Sequence, residues 1–107
     1  MTDNFIGERF TQLREARNIS ARKMSLDLGH STSYMNAIES GRKMPSLSEF
    51  PYLCEYLDIN VRDFFDDRRP TVHQIKAIDA IFSMSDKDVA LLLDIIGKLN
   101  LSSDSKR

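Results

Sequence analysis

The stretch ARKMSLDLGHSTSYMNAIES, residues 21–40, decides the fold. Its inner apolar residues form two short sets on either side of a glycine: Met24 and Leu28, four apart, then Met35 and Ile38, three apart. Each spacing marks one face of a short helix. Ser20 is suited to cap the first, predicted over Ala21–Leu28, and Ser31 the second, predicted over Thr32–Ser40. Gly29 ends the first because a left-handed cap is free of strain for glycine, and Gly41 ends the second. Two such helices crossing steeply need a small residue at the contact, and Ser25 is small. Small residue, turn glycine and inner anchors together fit a helix-turn-helix.

The flanking sequence is helical as well. Ile6, Phe10 and Leu13 make one stripe and predict a first helix from about Asn4 to Arg17, with Arg9, Arg14 and Arg17 off that stripe. Ser46 and Glu49 read as a capping box opening a fourth helix that runs to Leu57 and buries Phe50, Leu53, Cys54 and Leu57. Pro51 falls just past the positions where a missing N–H is harmless, so a tightened first turn or a kink is expected. A short fifth helix, Val61–Asp66, brings Phe64 or Phe65 onto the core. Asp66-Asp67-Arg68-Arg69-Pro70 reads as a charged linker. Beyond it, Val72, Ile75, Ile78 and Phe82 mark a helix from Thr71 to about Ser83. A last helix, capped at Ser85, runs to about Asn100, and the polar tail from Ser102 is expected to fray.

Several segments resemble one known family. Ile6-Gly7-Glu8-Arg9 with Leu13-Arg14 is similar to the first helix of the lambda-repressor-like, Cro/Xre-type DNA-binding domain. Ile38-Glu39-Ser40-Gly41-Arg42-Lys43-Met44-Pro45-Ser46-Leu47 resembles that family's segment after the recognition helix, and Leu57-Asp58-Ile59 and Asp63-Phe64-Phe65 its last two helices. The resemblance spans residues 5–66 and implies an all-α architecture. A five-helix helix-turn-helix domain over residues 1–67 is followed by a C-terminal helical pair over 71–101. It also implies that the third helix enters the major groove of double-stranded DNA. Thr32, Ser33, Asn36 and Ala37 match positions that reach base edges, Asn36 being able to pair bidentately with adenine. Arg22, Lys23, Ser31, Tyr34, Arg42 and Lys43 are the expected backbone contacts, which position without specifying. Two residues depart from the pattern. Ala21 stands where the family often has Gln, and His30 fills a turn position usually small and apolar, either satisfied within the fold or reaching a phosphate. Glu39 on the reading helix would repel phosphate, so it reads as a structural partner for a first-helix arginine, with Arg14 pairing to it or to Asp27.

Charge distribution agrees with a mild DNA binder. The 107 residues carry a formal net charge of −1. Residues 1–45 hold seven Lys/Arg against five Asp/Glu, residues 46–69 three against six, and the remainder five against five. The positive excess lies on the motif, and it predicts modest, salt-sensitive affinity.

The last helix is more apolar than a single small chain needs, with Val89, Leu92, Leu93, Ile96 and Leu99 on one stripe and Leu91 and Ile95 on another. Leu91, Leu92, Ile95, Ile96 and Leu99 are therefore the expected dimerisation residues, a two-fold dimer being the common way to read palindromic half-sites. The function expected is a sequence-specific transcriptional regulator, in the repressor sense. The alternative is a protein-interaction module, an antitoxin or a regulator's antagonist, acting through the same apolar helices. No enzyme, cofactor or metal is expected: one cysteine and two histidines show no ligand spacing, and no Gly-rich phosphate loop occurs. Cys54 has no partner for an internal disulfide and reads as a buried, inert thiol. So short a chain leaves little room for a small-molecule effector. No apolar run reaches the roughly 18–20 residues of a membrane span, and the N-terminus lacks signal-peptide character, so a cytoplasmic location is expected.

Overall fold

The computed structural model describes the backbone of residues 3–104 and the side chains of residues 3–99. Those residues are all-α, with α1 Phe5–Ala16, α2 Ala21–Asp27, α3 Tyr34–Glu39, α4 Phe50–Tyr56, α5 Val61–Phe64, α6 Val72–Ser83 and α7 Asp86–Asp104. The chain divides into two compact units, with the boundary between Ile75 and Lys76.

Several helix ends in the first unit have a local cause. Ser20 caps α2 as expected, its side chain accepting from Lys23 N. The Gly29 N–H reaches Leu26 O (3.0 Å) and the His30 N–H reaches Ser25 O (3.0 Å), closing α2 with both bonds of a Schellman turn around a φ of 81°. Asn18 (φ 56°) and Asp58 (φ 55°) end α1 and α4 by the same two-bond pattern. α4 begins at Phe50 rather than just after Ser46, so Pro51 sits within its first two positions, where a missing N–H is harmless; the first turn is tight all the same. Tyr52 N–H bonds to Glu49 O (2.9 Å) and Glu49 N–H to Ser46 O (3.1 Å), both three-residue bonds.

Several boundaries differ from the sequence reading. The third helix starts at Tyr34, and its N-cap is Ser33, without a side-chain cap bond, so Ser31 is no cap. Thr32 and Ser33 lie in the turn before it. The last helix continues to Asp104, through the start of the tail expected to fray; residues 105–107 lie outside the described set. Of the capping box only half forms at Ser46: its Oγ accepts the Glu49 N–H (3.1 Å), while the Glu49 carboxylate accepts from the Ser46 hydroxyl (3.2 Å) and from Tyr34 (2.7 Å). A complete box forms instead at Thr71, where the Gln74 N–H reaches Oγ1 (3.1 Å) and Gln74 Oε1 accepts the Thr71 N–H (2.8 Å).

The core is aromatic, and five of the six phenylalanines meet in it. Phe64 is fully buried, with Phe10 at 4.6 Å and Phe50 at 4.8 Å between centroids, and Phe65 stacks on Phe5 and Phe50. Such pairs add roughly 0.5–1.5 kcal/mol each beyond burial. Arg9 corrects the sequence reading: it is 0% exposed rather than off the buried face. Its guanidinium donates to Asp63 O (2.9 Å) and Phe64 O (3.0 Å) at the end of α5, and to Gln12 Oε1 (2.7 Å). Carbonyls at a helix C-terminus favour a cation, and the bonds offset the cost of burying one. The segment read as a linker is packed on α1. Pro70 is buried, Gln12 donates to Arg69 O (3.3 Å), and Arg69 lies 5.0 Å from the Phe5 ring while pairing with Glu8.

In the second unit, Ser85 Oγ accepts from Asp88 N as expected, with Asp86 and Asp88 in the first turn of α7. Leu91, Leu93, Ile95, Ile96 and Leu99 are exposed, as is Phe82.

Gly7 sets how closely α1 approaches the end of α3. A Cβ there would lie 2.5 Å from Glu39 O and 2.7 Å from Ile38 O, both backbone atoms. Helix propensity alone would make Gly7→Ala stabilising by about 0.5–1 kcal/mol. The clash outweighs that, so urea denaturation of Gly7→Ala is expected to show a net loss of about 1–3 kcal/mol. Cys54 is buried, and burial pushes its thiol up to about 11. It is expected to react with a thiol reagent at neutral pH only as fast as the chain unfolds; rapid labelling of the native protein would contradict the packing.

Candidate nucleic-acid interface

The exposed end of α3 is built from short polar side chains. Thr32, Ser33 and Asn36 are exposed and Ala37 is half-buried, while Tyr34, Met35 and Ile38 turn inward. A six-residue helix is far below the roughly 12–15 residues at which isolated helices become marginal, so other elements must hold it. At its start, the Met35 N–H bonds to Ser25 Oγ (2.9 Å), and the same hydroxyl donates to Ala21 O (2.8 Å). Ser25 was read only as small; its hydroxyl is what links α2 to α3. At the far end, Glu39 accepts two bonds from Arg14 (2.8 and 2.9 Å) and one from Thr11 (2.8 Å). Glu39 thus pairs with a first-helix arginine, and Arg14 chooses Glu39 over Asp27. Asn4 adds a bond from its amide to Glu39 O (3.0 Å).

Cations flank this surface. Arg22 and Lys23 are exposed on α2, and Lys23 forms an i,i+4 pair with Asp27 (2.9 Å). The Tyr56 hydroxyl also donates to Asp27 (2.7 Å), and chiefly that bond holds the Asp27 carboxyl below its ordinary range. Arg42 is exposed and bonds to Ser40 Oγ (2.9 Å). Lys43 is exposed, with Nζ 4.8 Å from the centre of the Tyr34 ring. Ser31 is exposed, and its Oγ lies 3.5 Å from that of Ser33.

Tyr34 is placed otherwise than expected. It is 4% exposed, and its hydroxyl donates to Glu49 Oε2 (2.7 Å), so it is committed to the fold rather than to a phosphate. Burial, with the adjoining carboxylate, raises the phenol well above its ordinary range. His30 stacks on Tyr34 with 3.6 Å between ring centres, and its Nε2 lies 2.9 Å from the same Glu49 oxygen. That geometry satisfies His30 within the fold. The role of Glu49 was missed because its capping-box position gave it a local explanation.

Among the described residues no group of His, Cys, Asp and Glu is placed to hold a metal ion, and no helix is long and apolar enough to cross a membrane. A surface groove of about 560 Å³ runs beside α1, lined by Thr11, Gln12, Leu13, Ala16, Pro70 and Val72 among others. From α3 it includes Glu39 and none of the exposed residues.

The helix-turn-helix domain family matches residues 7–66. Among solved structures, a chain of the complex between SinR protein and SinI protein is similar, with 26% identity and a TM-score of 0.56. The likeness covers 91% of this chain and 98% of that one. No curated protein matches the sequence. With more than half of its length matched, and with the two helices, glycine turn and buried anchors in place, the chain belongs to the helix-turn-helix domain family, of the Cro/Xre type its sequence resembles.

Proposed function

We propose that this protein is a sequence-specific transcriptional repressor that binds double-stranded DNA as a dimer, with α3 and the preceding turn in the major groove. The observation that carries the reading is the exposed set Thr32, Ser33 and Asn36, on α3 and the turn before it, with the helix held at both ends and flanked by Arg22, Lys23, Arg42 and Lys43. Family membership supports it. Asn36 is the one exposed residue of that set with a bidentate amide, so it discriminates most, by roughly 1–3 kcal/mol at one base pair. The cations add sequence-independent attraction that weakens as salt rises. Such a regulator works beside the DNA, in the cytoplasm.

Pairing is assigned to the apolar face of α7 through Leu91, Leu92, Ile95, Ile96 and Leu99. Most of these are exposed, and water contact at that many aliphatic side chains favours association. A second reading has its own support. The similar solved chain belongs to a complex of two different proteins, so a foreign protein is the other candidate to cover the exposed apolar side chains of α7.

Two experiments test this. Sites are selected from a random duplex pool, and Asn36→Ala is expected to relax preference at one base position by about 10- to 100-fold while leaving the salt slope on random DNA unchanged. A uniform loss, or none, would remove Asn36 from the reading face. Sedimentation of the full chain is expected to give a dimer, and Leu91→Glu combined with Ile95→Glu a monomer. A wild-type chain that stays monomeric while binding DNA in a salt-sensitive way would favour the second reading.

A further inference from the structure

Residues 31–33 are left without a cap of their own. Ser33 makes no capping bond, and the hydroxyls of Ser31 and Ser33 are 3.5 Å from one another. The side chains on either side of this turn, however, both reach one carboxylate oxygen from outside the motif. Tyr34 Oη donates to Glu49 Oε2 (2.7 Å), and His30 Nε2 lies 2.9 Å from that oxygen. The two rings stack with an interplanar angle of 3°. Glu49 is itself fixed: Ser46 Oγ donates to its other oxygen (3.2 Å) and accepts its backbone N–H (3.1 Å).

We propose that Glu49 is a positioning residue for DNA reading, clamping residues 30 and 34 so that Thr32 and Ser33 between them are presented in a fixed geometry. The proposal rests on the DNA-binding reading above. A carboxylate only accepts, so Nε2 of His30 is a donor in the neutral and the protonated imidazole alike. The clamp therefore keeps this donor in either state of the ring, the charged ring adding attraction. It depends on the charge of Glu49. The groups facing that carboxylate are His30 from the turn, Tyr34 from α3 and Ser46 from the approach to α4, with Lys43 over the Tyr34 ring. The Tyr34 hydroxyl chiefly holds the Glu49 carboxyl below its ordinary range. A depressed folded-state value means the stabilisation is present above the unfolded carboxyl's titration and is lost as pH falls through the folded value.

The test uses the full chain, its Glu49→Gln variant and Tyr34→Phe, which removes one hydroxyl only. Amide exchange, corrected for intrinsic rates, is expected to speed at residues 31–35 by about tenfold in Glu49→Gln, with Phe10 and Leu13 unchanged. Acidifying the wild type through the carboxylate range is expected to reproduce that local pattern, with a smaller further change in Glu49→Gln, where the Glu39 contacts still respond. Unchanged exchange at 31–35, or equal acceleration throughout the first unit, would overturn the proposal. Should Glu49→Gln fail to fold, Tyr34→Phe decides by the same criterion. On DNA, the ratio of selected-duplex to random-duplex affinity is expected to fall about fivefold, with the random-duplex salt slope kept. Equal loss on both duplexes would also overturn it. A wild type that binds neither duplex defeats the DNA reading, and the exchange experiment then still decides whether Glu49 holds the turn.

Discussion

The hydroxyl of Ser25 is the contact on which the motif's geometry depends. It is fully buried where α2 and α3 cross, donating back to Ala21 O and accepting the Met35 N–H. Six residues of α3 would not be helical alone. Leaving a buried N–H unmet costs about 1–3 kcal/mol, a large part of what so short a helix has to hold it. Smallness alone, the property first noticed at position 25, would permit the crossing without fixing it. The Schellman turn at Gly29 then brings the chain around so that Met35 arrives at that oxygen, its second bond ending on Ser25 O itself. The crossing and the turn are thus closed on one residue, by its side chain and by its carbonyl.

Three carboxylates are taken up within the fold, and their pairing accounts for the way a chain with net charge −1 leaves cations exposed around the motif. Glu39 is taken up by Arg14 and Thr11, so the acid on the reading helix is neutralised from behind. Glu8 pairs with Arg69. Asp27 is held by the exposed Lys23 and by the hydroxyl of the half-buried Tyr56. An exposed i,i+4 pair is worth only a few tenths of a kcal/mol, so Lys23 is able to exchange Asp27 for a phosphate at little cost. Net charge is therefore a poor guide to this surface; the pairing of each acid decides what solvent meets.

Legibility in the sequence followed the kind of interaction. Periodicity and turn chemistry located the anchors Met24, Met35 and Ile38 and the stop at Gly29, because each is a local property of a few residues. Charge logic located the Arg14–Glu39 pair, because an acid on a phosphate-facing helix needs a reason. What escaped were side chains whose partners lie on other elements, outside any local pattern. Arg9 is charged, so a periodic reading places it outside, yet its acceptors are the carbonyls of Asp63 and Phe64, more than fifty residues on. Tyr34 looked like a surface aromatic because its acceptor, Glu49, was already explained by the turn it begins. The 66–70 segment carries the composition of a linker, and only the buried Pro70 and the bond from Gln12 show that it is packed on α1.

On the proposed DNA-binding function the exposed face of α3 and its turn is light, and its energetics bear on assembly. Thr32 and Ser33 are short, Ala37 is half-buried, and Asn36 carries the one exposed amide among them. One good bidentate contact discriminates by about 1–3 kcal/mol, whereas specific sites usually exceed non-specific ones by roughly 4–10 kcal/mol. A single copy falls short of that range on its base contacts. Two copies joined through α7 would double the contacts, and linkage would make the second engagement intramolecular at a high effective concentration. The clamp at Glu49 acts in the same direction: when contacts are few, each one counts only if the side chain is already in place, because ordering it on binding costs about 0.5–1.5 kcal/mol of the same small total.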